Sequence, residues 1–157
     1  MTAADLLARL DARGWSVGTA ESLTGGLVAS AIVDVPGASS HMRGGVVAYD
    51  TEIKHTVLGV DSSLLAEHGP VHPEVARQLA RGIRRVLALN GRDADVGIAT
   101  TGIAGPASPD GQPVGTVHIG VSTPDGDHVS SHVFAGDRAA IRRQAVAAAI
   151  DFAVANM

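Results

Sequence analysis

Short apolar runs, each closed by a turn rich in Gly, Ser and Thr and followed by a stretch of helical periodicity, recur along this chain. That alternation constrains the fold more than any other feature, because strands that alternate with helices pair through crossovers and bury both sheet faces. Trp15 to Ala20, Gly44 to Tyr49 and Ala94 to Thr101 read as strands of this kind. Residues 2–13, 27–33 and 73 to about 87 read as helices, with Pro73 at a first helical position and Asn90-Gly91 as a stop. Thr51 is read as the cap of a further short helix ending near Gly59, and residues 61–71 as a loop with one helical turn. Val114 to Ser122 and His128 to Phe134 flank Pro124-Asp125-Gly126-Asp127, a hairpin signal. A last helix runs from Ala139 to about Ala155 with Ile141, Ala145, Ala148 and Phe152 inward. The expected architecture is one domain, residues 1–157: a three-layer α/β/α sandwich on a mixed, mostly parallel sheet.

Composition narrows the function. A formal net charge of −4 does not suit a protein that grips a nucleic-acid backbone. Cysteine is absent, which removes disulfides, a thiol nucleophile and thiolate metal ligands. The acidic, amphipathic start lacks the pattern of a secretion signal, and no apolar run reaches membrane-spanning length, so a cytoplasmic protein is expected. The seven histidines show no His-x-x-x-His or His-Glu-x-x-His spacing on a helix, and no metal site is expected.

The basic residues are uneven: a single lysine, Lys54, stands against eleven arginines. Arginine keeps its charge, whereas a desolvated lysine amine can lose its proton and act as a base. In the first turn of a helix the dipole disfavours positive charge by only ~0.3–1 kcal/mol. Bringing an amine from about 10.4 toward 7–8 takes roughly 4 kcal/mol, so burial must supply most of the shift. Tyr49, the only tyrosine, precedes Lys54, and Ser39 and Ser40 lie before the same strand. A serine beside a neutral lysine activates a hydroxyl without histidine.

Ligands of open α/β sheets bind beyond the carboxyl ends of strands. Ser22, Thr24, Gly25 and Gly26 form a strand-to-helix turn whose backbone N–H groups suit an anion, although a plain helix cap has the same appearance. Thr101, Gly102 and Gly105 form a second such segment, which a tight structural turn explains as well.

The segments Thr19-Ala-Glu-Ser-Leu-Thr-Gly-Gly26, Pro36-Gly-Ala-Ser-Ser40, Gly45-Val-Val-Ala-Tyr49 with Lys54, Thr101-Gly-Ile-Ala-Gly-Pro106, Pro113-Val-Gly-Thr-Val117 and Gly136-Asp-Arg138 occur in one order. In this the chain resembles the CinA C-terminal domain family, the nicotinamide-nucleotide amidohydrolases (NMN deamidases), over about residues 5–155. The resemblance implies a three-layer α/β/α homodimer that hydrolyses the carboxamide of nicotinamide mononucleotide to the acid and ammonia, in pyridine nucleotide recycling. It implies no metal or other cofactor. By position it implies Ser40 as nucleophile, Lys54 as base and Arg138 as assisting cation, with Ser22, Tyr49 and Thr101 lining the pocket. Larger CinA proteins carry a further N-terminal domain linked to pyrophosphate hydrolysis, an activity not carried over here.

Ser22 remains the alternative nucleophile, because it sits on a strand-to-helix turn. His41 beside Ser40 offers a Ser–His pairing, though adjacent residues on a strand face opposite ways. The sequence departs from the family pattern at Leu23, at His72, at Asp50-Thr51 and in the loop 107–111. The competing class is a non-catalytic module that binds nucleotides or regulates a partner.

Overall fold

Thr2 opens the fold with a reciprocal cap. Its N–H donates to the Asp5 carboxylate at 2.6 Å while its hydroxyl accepts from the Asp5 N–H at 3.3 Å. Helix α1 (Ala3–Arg13) therefore starts with orphan donors satisfied, and Gly14 closes it at φ 64, a left-handed conformation that glycine adopts without steric cost. The computed structural model describes residues 1–157. After α1 come β1 (Val17–Glu21), α2 (Leu27–Val33), a 3-10 turn (Ala38–Ser40), β2 (Met42–Val47), α3 (Thr51–Thr56) and α4 (Ser62–His68). The chain continues with α5 (Pro73–Val86), β3 (Val96–Gly102), β4 (Thr116–Thr123), β5 (Gly126–Val133) and α6 (Arg138–Ala155).

The five strands lie in the order β2-β1-β3-β4-β5. β1 is parallel to both β2 and β3, β4 is antiparallel to β3, and β5 is antiparallel to β4. Only β4 therefore runs against the other strands, which gives a mixed sheet with most strands pointing one way. One face carries the larger core, in which Leu6 and Leu10 of α1, Ile32 of α2 and Ile141 and Ala149 of α6 meet Val17, Ile98 and Ile119. The other face packs Val75, Leu79 and Ile83 of α5 and Leu65 of α4 against Ala20 and Ala99. Together these layers make the three-layer α/β/α arrangement in a single domain.

Helix α5 sits close to the sheet because glycine lies beneath it. A Cβ at Gly97 would fall on the Ala80 carbonyl oxygen, and one at Gly120 on that of Ala76. At the far end, Arg84 donates to the carbonyl oxygens of Ala94 and Thr123, both at 2.9 Å, fastening α5 to the strands on either side.

Local details differ from the sequence expectation. Asp50, not Thr51, caps α3, since its carboxylate accepts the Glu52 N–H at 2.8 Å and Thr51 becomes the first helical residue. Residues 62–68 form a full helix, α4, capped by Asp61. β2 ends at Val47 rather than Tyr49, where its pairing with Glu21 runs out. In α6, Ala149, Ile150, Ala153 and Val154 are buried, whereas Ala148 and Phe152 only flank the core.

Candidate active site

β1 and β3 end side by side, and the chain leaving β1 turns across the end of β3: the Ser22 N–H donates to the Thr100 carbonyl at 3.1 Å. Behind this turn Glu21, 1 % exposed, accepts N–H groups from Gly26, Val28 and Ala29 at 3.2, 2.8 and 3.0 Å. The Thr24 and Thr100 hydroxyls share a buried hydrogen bond of 2.8 Å. Arg142 of α6 adds a bond of 2.8 Å to the Leu23 carbonyl. The turn that presents Ser22 is thus held from the sheet, from α2 and from α6.

Lys54 reaches this point from α3, and it is only 1 % exposed. Its Nζ lies 2.7 Å from the Ala48 carbonyl, 3.2 Å from the Tyr49 carbonyl and 3.1 Å from Ser22 Oγ. No carboxylate makes a salt bridge with it. Burial lowers its pKa from the ordinary 10.5 to about 8, opposed by the more distant charge of Asp50. A neutral amine has two N–H donors and one lone pair. The two carbonyls can only accept, so they take both hydrogens. The lone pair is then left to the one partner that can donate, the Ser22 hydroxyl. When the amine is neutral, this geometry leaves its lone pair poised to take the serine proton.

Ser22 and Lys54 face a cavity of about 220 Å³. Across it lies the segment after β3, with Thr101 donating to the Pro70 carbonyl at 2.6 Å and so joining that wall to the loop before α5. Arg138, the first residue of α6, donates to the Gly105 carbonyl at 2.7 Å and to the Tyr49 hydroxyl at 3.1 Å. The guanidinium therefore bridges two sides of the mouth, and Tyr49 stands 61 % exposed beside it.

Of the residues singled out in the sequence, Ser22, Tyr49, Lys54, Thr101, Gly102, Gly105 and Arg138 all line this cavity. Thr24, Gly25 and Gly26 do not line it. They form the turn behind Ser22, with Gly25 and Gly26 at φ 61 and 99. The structure does not bring Ser40 to Lys54. Ser40 ends the 3-10 turn before β2, in a separate crevice with Trp15, His41 and Arg43. Lys54 follows β2, and a strand of six residues at ~3.3 Å each puts about 20 Å between its two ends. His41 turns from Ser40 to the Trp15 carbonyl, its Nδ1 at 2.9 Å. Sequence reasoning did not name Pro70, Val71, Ile103 or Pro109 as cavity walls, and these apolar residues carry no local signature of a site. Nowhere do three His, Asp or Glu side chains gather as they would around a metal ion, and no helix is long and apolar enough to cross a membrane.

A mixed-sheet α/β domain with a serine and a buried lysine at the carboxyl ends of its parallel strands is the class that these features define. The chain belongs to the CinA C-terminal domain family, whose model matches residues 1–157. A CinA-like protein of Frankia casuarinae is 47 % identical over 146 residues, covering 93 % of this chain and 33 % of that protein. A CinA-like protein of Anaeromyxobacter sp. (strain K) is 47 % identical over 148 residues, covering 93 % and 35 %. This chain thus spans about a third of the length of those curated relatives. Among solved structures, a competence-damaged protein (CinA) superfamily protein from Enterobacter cloacae superposes with a TM-score of 0.92 at 29 % identity, covering 98 % of this chain and 89 % of that one. The competence/damage inducible protein CihA from Agrobacterium tumefaciens gives 0.85 at 34 % identity, covering 99 % and 93 %.

Proposed function

We propose that the protein is a Ser-Lys amidohydrolase that converts nicotinamide mononucleotide to nicotinic acid mononucleotide and ammonia, with Ser22 as nucleophile and Lys54 as base. The observation that carries this reading is the 3.1 Å contact between Ser22 Oγ and a buried Nζ whose other two partners are carbonyl oxygens. The substrate class rests on the family resemblance, and the cavity is compatible with a flat heteroaromatic carboxamide.

In the reaction, Lys54 takes the Ser22 proton as Oγ bonds to the carboxamide carbon and the carbonyl π pair moves onto oxygen. When the tetrahedral species collapses, the C–N bond breaks and the Lys54 ammonium protonates the departing nitrogen, which leaves as ammonia. Lys54, neutral again, takes a proton from water as its oxygen attacks the acyl carbon. The second collapse breaks the ester bond and returns that proton to Ser22. Arg138, tethered to the Gly105 carbonyl and the Tyr49 hydroxyl, supplies a cation at the mouth for the phosphate. This scheme leaves no role in the chemistry for Ser40.

Ammonia release from nicotinamide mononucleotide tests the assignment. Wild type and Ser40→Ala are expected to release ammonia at rates within about twofold, while Ser22→Ala and Lys54→Ala lose it by a factor on the order of 10³ or more. Release undiminished in Ser22→Ala rejects the nucleophile. Nucleotide binding by the wild type without any ammonia points instead to the non-catalytic binding module.

A further inference from the structure

The turn that carries Ser22 can be accounted for donor by donor. The N–H groups of Ser22, Gly25, Leu27 and Ser30 go to the carbonyls of Thr100, Ser22, Thr24 and Gly26. Those of Gly26, Val28 and Ala29 go to the Glu21 carboxylate. The donors at the start of α2 are therefore already taken. Two N–H groups in the stretch 22–30 find no acceptor in the protein: those of Leu23 and Thr24. Both belong to buried residues, 3 % and 0 % exposed. Buried backbone donors are almost always paired, so the orphan on Leu23, a cavity-lining residue next to a candidate nucleophile, calls for an acceptor from outside the chain.

Leu23 lines the cavity beside Ser22 whereas Thr24 lies behind it, and from this accounting we infer that the backbone N–H of Leu23 donates to the oxyanion that develops in acyl transfer at Ser22. The inference rests on the proposed amidohydrolase reading and deepens it. In strand-to-helix nucleophile turns of other hydrolases, the N–H just after the nucleophile points at the oxygen that becomes negative, and the same logic applies to Leu23. Glu21 holds the neighbouring donors of Gly26, Val28 and Ala29 on its own carboxylate and so fixes the turn that presents the Leu23 N–H. The ground-state carboxamide oxygen binds here weakly. The full charge of the tetrahedral oxygen meets a donor that requires no reorganisation. Ala104 and Gly105, on the opposite wall, also have N–H groups without an acceptor and are the competing pair.

Leu23 is the first central residue of the turn closed by the bond from Gly25 to Ser22, a position where proline is favoured. Leu23→Pro thus removes the donor where the backbone tolerates it, and Leu23→Ala is the control that loses the same side-chain packing but keeps the N–H. The expected result is that kcat for ammonia release falls ~10²–10³-fold in Leu23→Pro relative to Leu23→Ala, with KM changed far less. Equal kcat in the two folded variants overturns the inference.

Wild-type protein gives a readout that does not depend on the proline variant folding. The nucleotide analogue with a formyl group in place of the carboxamide adds Ser22 Oγ to its carbonyl carbon, the π pair moving to oxygen and the serine proton to Lys54. In the ¹⁵N-labelled enzyme the Leu23 amide proton is expected to move downfield on adduct formation, while those of Thr24, Gly25 and Gly26 stay. Movement at Ala104 and Gly105 instead, or at none of these three amides (Leu23, Ala104, Gly105) in a formed adduct, overturns the inference. If wild type releases no ammonia and forms no adduct, the amidohydrolase reading itself fails and this inference falls with it.

Discussion

The buried amine makes a quantitative prediction about stability. Replace Lys54 with Met, which keeps an unbranched chain of similar length and removes the titrating group. The native pKa of about 8, against the ordinary 10.5 of an unfolded chain, means that burial disfavours the charged form. Below pH 8 both native and unfolded chains carry the proton, and the native state bears the whole penalty, about 3 kcal/mol. Between 8 and 10.5 the native amine has released its proton while the unfolded amine still holds it, so stability rises with pH. Integrating the linkage relation, the penalty falls from about 3 kcal/mol at pH 7 to about 1 kcal/mol at pH 10. Wild type should therefore gain roughly 2–2.5 kcal/mol on Lys54→Met over that interval, or about 5–10 °C in Tm for a domain of this size. Urea denaturation of both proteins across pH 7–10 measures the difference, and the subtraction cancels every other titrating group. The carbonyls of Ala48 and Tyr49 that the Met leaves unpaired add an offset that does not vary with pH. A difference flat within about 0.5 kcal/mol over the interval would refute the claim that this amine sheds its proton near pH 8. The same titration should appear in catalysis as ammonia release that climbs with pH and levels off above about 8.

Further outcomes follow from other contacts. Gly97→Ala should destabilise by about 1–3 kcal/mol or more, seen as a lower urea midpoint at unchanged slope, because the new methyl meets the Ala80 backbone and the Ile83 side chain. Thr2→Ala should cost about 1 kcal/mol, a fall of ~2–4 °C in Tm, through loss of the reciprocal cap on α1. Tyr49→Phe removes one hydroxyl from Arg138 on an exposed ring. It should leave stability within about 0.5 kcal/mol, raise KM for the nucleotide, and keep the inflection near pH 8.

How much of this was legible in the sequence depends on the range of each interaction. The layered α/β plan, the long helix opened by Pro73 and the late hairpin are local patterns, and they stand where the periodicity put them. Lys54 stood out by being the only lysine, and its burial follows once α3 folds back over the end of β2. The choice between Ser22 and Ser40 was not legible, because both lie near Lys54 in the chain's motifs while only topology fixes their distance. Ser40 precedes β2 and Lys54 follows it, and the intervening strand holds the two apart. The orphan N–H groups of Leu23 and Thr24 were equally hidden, since they show only when every acceptor around the turn is known. Asp50 and Thr51 are both good capping residues, and only the backbone conformation of Asp50, at φ −73 and ψ 141, decides between them.

Lys54, the proposed base, is mounted on α3, six residues long and reached from β2, the strand at one border of the sheet. Such a short segment can open while the layers beneath it stay folded. When it does, water reaches Nζ, the amine regains its charge and the serine proton has nowhere to go. Heating should thus silence the proposed reaction reversibly some degrees before the sheet melts, which makes α3 the fuse of the molecule.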